Sequence, residues 1–171
     1  MKSDEFRVKL IKHLDLIKFD LDRIIKLKQE HWDYPYISHL EWINNNINED
    51  EYHLMITDNS DNIIAYLNLV NVKVVNVNES TTYVGIGNIC VQIANSGKGF
   101  GKLILTLCNY YLNEMGMDGV LLCKPELLDF YKKFGWNQYV GEAYVLGDKL
   151  SNCLMSTKLI SGSPLYINRN F

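Results

Sequence analysis

Three glycines occur at alternate positions, Gly97, Gly99 and Gly101, where an apolar stretch gives way to a helical pattern. Glycine lacks a Cβ, so such a loop can turn its backbone N–H groups in directions that other residues resist. At a helix N-terminus these groups, with the positive end of the helix dipole, favour an anion. The spacing predicts a loop that binds a pyrophosphate. The alternative is a plain glycine turn before a core helix.

Two common phosphate-binding loops do not fit this stretch. The P-loop requires Gly, four residues and then Gly-Lys-Ser/Thr, but Gln92 stands at the first glycine position and Gly99 at the hydroxyl position. The dinucleotide fingerprint G-x-G-x-x-G requires a third glycine, and Lys102 stands in its place. Both interpretations are therefore excluded.

The loop resembles the acetyl-CoA-binding loop of the GCN5-related N-acetyltransferases, whose pattern is Q/R-x-x-G-x-G/A. Gly99 and Gly101 match this pattern, whereas Ser96 stands in the Gln/Arg position. A second stretch, residues 130–136, resembles the family's aromatic-Tyr-x-x-x-Gly-aromatic segment and follows the first motif at about the family's distance. Two independent motifs in the right order make the resemblance specific. Within the family, it is nearest to aminoglycoside N-acetyltransferase-like members.

The resemblance implies an acetyl-CoA site formed by a strand end and the glycine loop. Backbone groups of the strand would bind the pantetheine amides and polarise the thioester carbonyl, as an oxyanion hole does. We expect Lys98 and Lys102 to contact the phosphates of CoA rather than to be plain surface charges. We expect Phe100 to lie in the core rather than to contact the ligand. Many family members carry Asn at the position of Lys124. The implied acetyl-CoA-binding residues are Ile89, Cys90, Val91, Ser96, Gly97, Lys98, Gly99, Phe100, Gly101, Lys102 and Lys124.

Tyr131 is the candidate general acid, because it holds the tyrosine position of the second motif. Tyrosine has a pKa near 10, so it is protonated at neutral pH and can donate a proton to the departing CoA thiolate. The alternative is a core role, since Tyr131 also lies on an apolar helical stripe. No base for the acceptor amine is evident. The implied function is direct acetyl transfer to a primary amine in a ternary complex. The alternative is a non-catalytic acyl-CoA-binding or protein-interaction module.

A loop rich in carboxylates and aromatic side chains, residues 30–36, is the candidate acceptor site. The corresponding loop has this role in the family, and its charges and ring faces suit a cation through ion pairing and cation–π attraction. The alternative is an ordinary surface loop. The candidate residues are Glu30, His31, Asp33, Tyr34 and Tyr36. We expect a small polar or cationic amine, with an aminoglycoside-like sugar amine ahead of a peptide.

Composition limits the remaining function classes. The chain has 171 residues, of which 47% are apolar and 22% charged, which suits one domain over residues 1–171 with a tail at residues 161–171. A net charge of −3 argues against sequence-independent binding of nucleic acid. No membrane is expected as a partner and the cytoplasm is expected as the location, because no membrane-spanning run or signal-peptide core is evident. A homodimer is left open. Neither the four histidines nor the four cysteines have metal-ligand spacing, so no metal is expected.

Hydrophobic periodicity predicts the elements that must position these residues. Alternation from Phe6 begins a strand. Asp20 and Ser38 are candidate caps of two helices, the second with the spacing of a capping box. An antiparallel meander of strands follows over residues 52–91.

The pattern after the glycine loop predicts a strand–helix–strand unit. Helical spacing of apolar residues runs from Phe100 to a cap at Gly116, and Gly119–Cys123 predicts a strand parallel to the one before the loop. Strands at residues 137–146 and 153–159 close the sheet. The predicted fold class is α/β, with a mixed, mostly antiparallel sheet of six or seven strands, a central splay and about four flanking helices.

Overall fold

Four strands organise the first half of the chain in the computed structural model, which describes residues 5–77 and 79–171. Residues 1–4 and Asn78 lie outside the described residues. The expectation that there is no signal peptide rests partly on residues 1–4, and the sequence also predicts a turn at Asn78. The strands are β1 (Arg7–Lys12), β2 (Tyr52–Thr57), β3 (Ile63–Val75) and β4 (Ser80–Val91).

The chain divides into two units. The first contains the residues up to Leu69 and Asn88–Cys108, and the second contains Val70–Gly87 and Asn109–Phe171. Strands β3 and β4 therefore contribute residues to both units. The second unit includes the hairpin between these strands, in which the Asn76 N–H donates to the carbonyl of Glu79 at 3.0 Å.

In the first unit, β2 pairs with an antiparallel neighbour on each side. It pairs with β1 over the full length of both strands, and with β3 so that Met55 lies opposite Tyr66 and His53 opposite Asn68. Opposite residues share a face of a sheet, as do residues two apart on one strand. All four of these side chains therefore lie on one face, and all four are fully buried.

Two helices of the first unit precede β2, namely α1 (Lys18–Gln29) and α2 (Tyr36–Asn46). The predicted caps are wrong, because neither helix has a side-chain N-cap. Asp20 lies inside α1, where its buried carboxylate is 3.4 Å from the ammonium of Lys9. The second helix begins directly after Pro35, whose ring fixes φ near the helical value, so Ser38 falls within the first turn.

The second unit contains a strand path in the order β6-β9-β5-β4-β3-β10-β7-β8. The β4–β5 ladder is parallel and runs from Val84↔Gly119 to Ile86↔Leu121. A second parallel ladder joins β7 and β10, and the other described ladders are antiparallel. The elements after β4 are α3 (Phe100–Met115), β5 (Gly119–Cys123), α4 (Leu128–Lys132), β6 (Asn137–Gln138), β7 (Ala143–Val145), β8 (Asp148–Lys149), β9 (Cys153–Ser156) and β10 (Leu165–Ile167).

The architecture confirms the predicted α/β class, with a mixed, mostly antiparallel sheet and four α-helices among the described residues. Those residues form ten strands rather than six or seven. The predicted strand at residues 137–146 is two short strands, and the segment predicted as a tail contains β10. Strands of two or three residues are too short for alternation to reveal. None of the described helices has both the length and the apolar character needed to cross a membrane.

A glycine on β4 makes room for an aromatic ring in the second unit. A Cβ placed on Gly85 would lie 2.7 Å from the ring of Phe171 and 2.9 Å from the side chain of Val72. Contacts this short do not occur between packed atoms, so a larger residue at position 85 would displace the ring. The absence of a side chain at Gly85 is therefore a packing requirement.

Candidate functional site

The glycine loop joins the end of β4 to α3 in the first unit. Gly97 has φ +76° and Gly99 has φ +92°, in the left-handed region that favours glycine. A Cβ added at either position would meet nothing within 4 Å. Both residues are therefore required for the backbone path, and the space beside them is open.

The first turn of α3 offers unused hydrogen-bond donors. Within the part of the chain that the structure describes, the N–H of Leu103 donates to the carbonyl of Gly99 at 3.0 Å, whereas those of Phe100, Gly101 and Lys102 have no protein acceptor. Such groups point out of the helix N-terminus and attract anions. This arrangement fits the pyrophosphate that the sequence predicts.

The polar side chains of the loop are exposed. Lys98 donates through Nζ to Oδ1 of Asn95 at 3.0 Å, and its ammonium is thereby held beside the loop. Lys102 is exposed on the first turn of α3, and Ser96 is exposed as well. The ring of Phe100 is buried and packs edge-on against Phe6, with 4.9 Å between centroids, as its predicted core role requires.

Two residues of the candidate acceptor loop bind the backbone at the end of β4. The carboxylate of Glu30 accepts from the N–H of Ile93 at 2.7 Å. Nε2 of His31 lies 2.7 Å from the carbonyl oxygen of Val91, and this nitrogen must carry the proton because a carbonyl only accepts. The structure therefore brings together the acceptor candidates Glu30 and His31 and the cofactor candidates at the end of β4.

The other acceptor candidates lie elsewhere on the same loop. Tyr36 donates from its hydroxyl to Asp22 on α1 at 2.5 Å, and this bond is the largest cause of a raised pKa for Tyr36. Tyr34 is 61% exposed, with its ring edge-on to that of His39. Asp33 is exposed. All three residues are exposed, and the hydroxyl of Tyr36 also links α2 to α1.

One residue near the end of β4 has a left-handed backbone conformation that the sequence did not predict. Asn88 has φ +53°, an uncommon value for a residue other than glycine. Its side-chain amide donates to Oδ1 of Asn68 at 2.6 Å. Ile89 follows, and then Cys90, which is 4% exposed and whose pKa burial raises to about 12. The thiol of Cys90 is therefore neutral at physiological pH.

A buried lysine near this strand end was also missed. Lys28 on α1 is 2% exposed, and its ammonium lies 4.4 Å from the ring centroid of Trp42. Burial lowers the pKa of Lys28 to about 8, an effect that the nearby Cys90 partly offsets. Lysine is rarely buried without a partner. No signal in the sequence separated Lys28 from the exposed lysines around it.

The remaining candidates lie in the second unit. Tyr131 on α4 is 5% exposed, and its ring is edge-on to those of Phe130 and Trp136. The indole N–H of Trp136 donates to Oδ1 of Asn109 at 3.0 Å, which fixes this aromatic group. Lys124 is exposed directly after β5.

Comparison with known proteins identifies the fold. The sequence matches no protein-family model, and no curated protein sequence matches it. A GNAT family N-acetyltransferase (YhbS) from Escherichia coli, solved in complex with CoA, aligns with a TM-score of 0.70 at 16% identity over 99% of this chain and 92% of its own. An acyl-CoA N-acyltransferase from Pseudomonas aeruginosa aligns with a TM-score of 0.68 at 19% identity over 90% and 100% of the two chains.

A third similar structure is that of an enzyme named after a protein substrate. The ribosomal-protein-S18-alanine N-acetyltransferase from Escherichia coli aligns with a TM-score of 0.59 at 16% identity, over 88% of this chain and 92% of its own. At such identities the likeness concerns the fold. This chain has the fold of the GCN5-related N-acetyltransferases.

Proposed function

We propose that this protein is an N-acetyltransferase that transfers the acetyl group of acetyl-CoA to a primary amine. The observation that supports this most directly is the glycine loop at the start of α3. It combines two left-handed glycines, open space beside them and first-turn N–H groups that have no acceptor among the described residues. Within this fold, a loop of that kind suits the pyrophosphate of CoA.

The residues of the first unit fit this ligand. The N–H groups at the start of α3 and the ammonium groups of Lys98 and Lys102 would hold the pyrophosphate. Backbone groups of Ile89, Cys90 and Val91 would bind the pantetheine arm and polarise the thioester carbonyl. Acetyl-CoA supplies an activated acyl group with a good leaving group. An oriented N–H at the developing oxyanion contributes roughly 3–4 kcal/mol to such a reaction.

Direct transfer in a ternary complex is favoured over an acyl-cysteine intermediate. Burial raises the pKa of Cys90 to about 12, of Cys108 to about 12 and of Cys123 to about 11. The thiolate is the nucleophilic form of cysteine, and these three thiols remain protonated at neutral pH. We therefore propose that the acceptor amine attacks the thioester itself, with Tyr131 as the general acid that the second sequence motif indicates.

The acceptor is proposed to be a small polar or cationic amine, with an aminoglycoside-like sugar amine ahead of a peptide. All five candidates are exposed, but hydrogen bonds hold the side chains of Glu30, His31 and Tyr36. Asp33 and Tyr34 are therefore the proposed contacts, because a carboxylate beside a ring suits a cation. Glu30 and His31 would act by fixing the strand end. We propose the cytoplasm as the location, where acetyl-CoA is made available, and propose neither a metal nor a nucleic-acid or membrane partner. That the protein forms a homodimer also stays a proposal.

A second candidate function is a non-catalytic module that binds acyl-CoA or a protein. Ser96 at the Gln/Arg position of the loop favours it. The enzyme and an acyl-CoA-binding module share CoA binding and differ in turnover, whereas a protein-interaction module need not bind CoA. Calorimetry with CoA, followed by a thiol-release assay with acetyl-CoA and a panel of cationic, neutral and peptide amines, separates them.

Thiol release that depends on a cationic amine is the expected result, and the acetylated amine should appear in equal amount by mass spectrometry. Binding of CoA without release for any amine would favour the module. Release with peptides or neutral amino acids alone would retain the enzyme and contradict the cationic acceptor. Failure to bind CoA would contradict the acetyltransferase and the acyl-CoA-binding module, and would leave the protein-interaction module.

A further inference from the structure

Two cysteines of the second unit face each other across neighbouring strands. In the antiparallel ladder of β5 and β9, Cys123 lies directly opposite Cys153, at one end of the register. Both are free thiols. Opposite residues of an antiparallel pair lie on the same face of the sheet. The register therefore places the two thiols side by side, although they are distant in sequence.

The spacing of the strands at this pair suits a disulfide bond. The N–H of Thr157 donates to the carbonyl of Gly119 at 3.0 Å, so these two residues form a hydrogen-bonded pair. The two kinds of pair alternate along such a ladder, so Cys123 and Cys153, an even number of pairs further on, are again hydrogen-bonded. The Cα atoms of such a pair lie about 5.5 Å apart, inside the range of roughly 4.4–6.8 Å found for disulfides. A bond between the two sulfur atoms is therefore within reach without rearrangement of the sheet.

A disulfide at this pair should be easy to reduce again. The Cβ atoms of directly opposite residues lie about 4.5–5.5 Å apart, whereas a disulfide needs about 3.5–4.5 Å. Formation of the bond must therefore draw the ends of β5 and β9 slightly together, and the strain this stores favours reduction. The geometry thus suits a bond that forms and breaks with the redox conditions, rather than a permanent cross-link.

The two thiols differ in their access to solvent. Cys153 is half-buried, whereas Cys123 is 5% exposed. Burial raises the pKa of Cys123 to about 11, and Cys153 and Glu126 add to this effect. The thiolate is the form that attacks a disulfide, so the first reaction with a dissolved disulfide falls to Cys153, which a solute can reach. Cys123 is then the second thiol, already in place beside it.

We propose that Cys123 and Cys153 form a reversible disulfide by exchange with a low-molecular-weight disulfide of the glutathione type. The thiolate of Cys153 attacks one sulfur of the small disulfide, forms a mixed disulfide and releases one small thiolate. The thiolate of Cys123 then attacks the sulfur of Cys153, so that the protein S–S bond forms and the mixed bond breaks. The two protein thiols lose two electrons and two protons, and the small disulfide takes them up and leaves as two thiols.

The bond would close a loop that contains residues proposed for the reaction. Strand β5 ends at Cys123, Lys124 follows, and α4 with Tyr131 comes next, before the chain returns in β9. Where reducing thiols are abundant, protein disulfides are usually transient and sense redox state. The cysteine pair is thus a redox-sensitive modification site of the second unit, and its chemistry does not depend on the acetyltransferase function.

Peptide mapping by mass spectrometry tests the exchange on the folded protein. After treatment with glutathione disulfide and blocking of free thiols with iodoacetamide, the wild type should yield one disulfide-linked peptide pair, which contains Cys123 and Cys153. Dithiothreitol should restore both thiols. Cys108→Ser is the matched control, because Cys108 is another buried thiol and belongs to the first unit. This variant should form the same bond to the same extent.

Two further variants separate the two steps. Cys123→Ser removes the second thiol, so one glutathione should stay attached to Cys153 as a mixed disulfide. Cys153→Ser removes the accessible thiol, and Cys123 should then remain free after the same treatment. If Cys123→Ser does not fold, the peptide map of the wild type decides alone.

The outcomes are distinct. The bond between Cys123 and Cys153 in the wild type, with the glutathione adduct trapped in Cys123→Ser, supports the proposal. Four free thiols in the treated wild type, a lasting adduct on Cys153, or a disulfide between two molecules would each overturn it. The reaction contains neither CoA nor an amine, so its result is separate from that of the thiol-release assay, which tests the proposed function.

Discussion

Burial favours the neutral form of both Lys28 and Tyr131, but the consequences for the two residues differ. Both side chains are at most 5% exposed, and burial disfavours the charged form of any group. For lysine this favours the neutral amine, whereas a tyrosine is already neutral and keeps the proton that an acid needs. Lys28 therefore carries a cost in stability that Tyr131 does not.

The hydroxyl of Tyr131 should matter for turnover and not for cofactor binding. Tyr131→Phe keeps the ring contacts with Phe130 and Trp136 and removes only the proton donor. We expect kcat to fall by at least about tenfold, with little change in acetyl-CoA affinity. Tyr110→Phe, a change at a tyrosine 63% exposed on α3, is the control. Equal turnover of the Tyr131 variant and the wild type would assign Tyr131 to the core.

Lys28→Met should stabilise the protein at neutral pH. Burial lowers the pKa of Lys28 from 10.5 to about 8, so the unfolded chain binds the proton more tightly than the folded one. Stability must then rise with pH between about 8 and 10.5, and below pH 8 the whole cost is present. Removing the charge should raise the free energy of unfolding at pH 7 by about 3 kcal/mol.

Urea denaturation from pH 7 to pH 11 measures this effect. The gain of Lys28→Met over the wild type should shrink through the upper part of that range and disappear near its end. Lys26→Met is the matched control, because Lys26 lies on the same helix and is exposed. A gain that is the same at all pH values would indicate a packing effect of methionine instead.

At the scale of elements, the glycine loop and the start of α3 act together. Gly99→Glu should abolish CoA binding, because its carboxylate would meet the pyrophosphate where the helix now offers unused N–H groups. Calorimetry with CoA is the measurement. Gly99 also has a positive φ, so any replacement adds backbone strain that must be separated from the charge effect.

Gly116→Glu separates these effects. Gly116 also has a positive φ, and a Cβ there meets nothing within 4 Å. The control thus introduces similar strain at the opposite end of α3. It should lower the melting temperature to a similar degree and leave the CoA affinity unchanged. Unchanged affinity in a folded Gly99→Glu variant would disprove the pyrophosphate loop.

The elements that could be predicted from the sequence are those with a clear apolar pattern. The bounds of β2, α3 and β5 are as predicted. Helical spacing is sustained along α3, and β5 is a short continuous apolar run, as a buried strand requires. The short strands β6, β7, β8 and β10 offer too few residues for a pattern. The cap predicted at Asp20 is wrong, because Asp20 lies inside α1 and its carboxylate pairs with Lys9 of β1 instead of capping the helix.

The site was predictable only where its chemistry is local. Consecutive residues form the glycine loop, so its geometry follows from their types. His13, which follows β1, lies 3.0 Å from His53 on β2, and His53 lies 2.8 Å from the hydroxyl of Tyr66 on β3. Strand pairing brings these three side chains together, and no spacing along the sequence indicates it. The burial of Lys28 likewise depends on contacts, such as that with Trp42, that periodicity does not specify.

At the scale of the whole molecule, we propose that residues 1–171 form a single domain. Trp32 and Trp42 belong to the first unit and Trp136 to the second. A Trp136→Phe variant therefore reports on the first unit by fluorescence, and a variant with Trp32→Phe and Trp42→Phe reports on the second. In each variant, the urea midpoint from fluorescence should equal the midpoint from far-ultraviolet circular dichroism.

Comparison within each variant removes the effect of the substitution itself on stability. A fluorescence midpoint that precedes the dichroism midpoint in one variant and follows it in the other would show that the units unfold separately. The chain would then consist of two cooperative units, and the single-domain proposal would be wrong.

The missing side chain at Gly85 predicts that positions 85 and 171 evolve together. The ring of Phe171 occupies the volume that a side chain at position 85 would need, so neither position can change size alone without loss of packing. Alanine or serine at position 85 becomes tolerable only after Phe171 has become smaller and the side chain of Val72, 2.9 Å from the same Cβ, has also made room. In an alignment of relatives of this protein, positions 85 and 171 should therefore vary together, although 85 residues separate them on the chain.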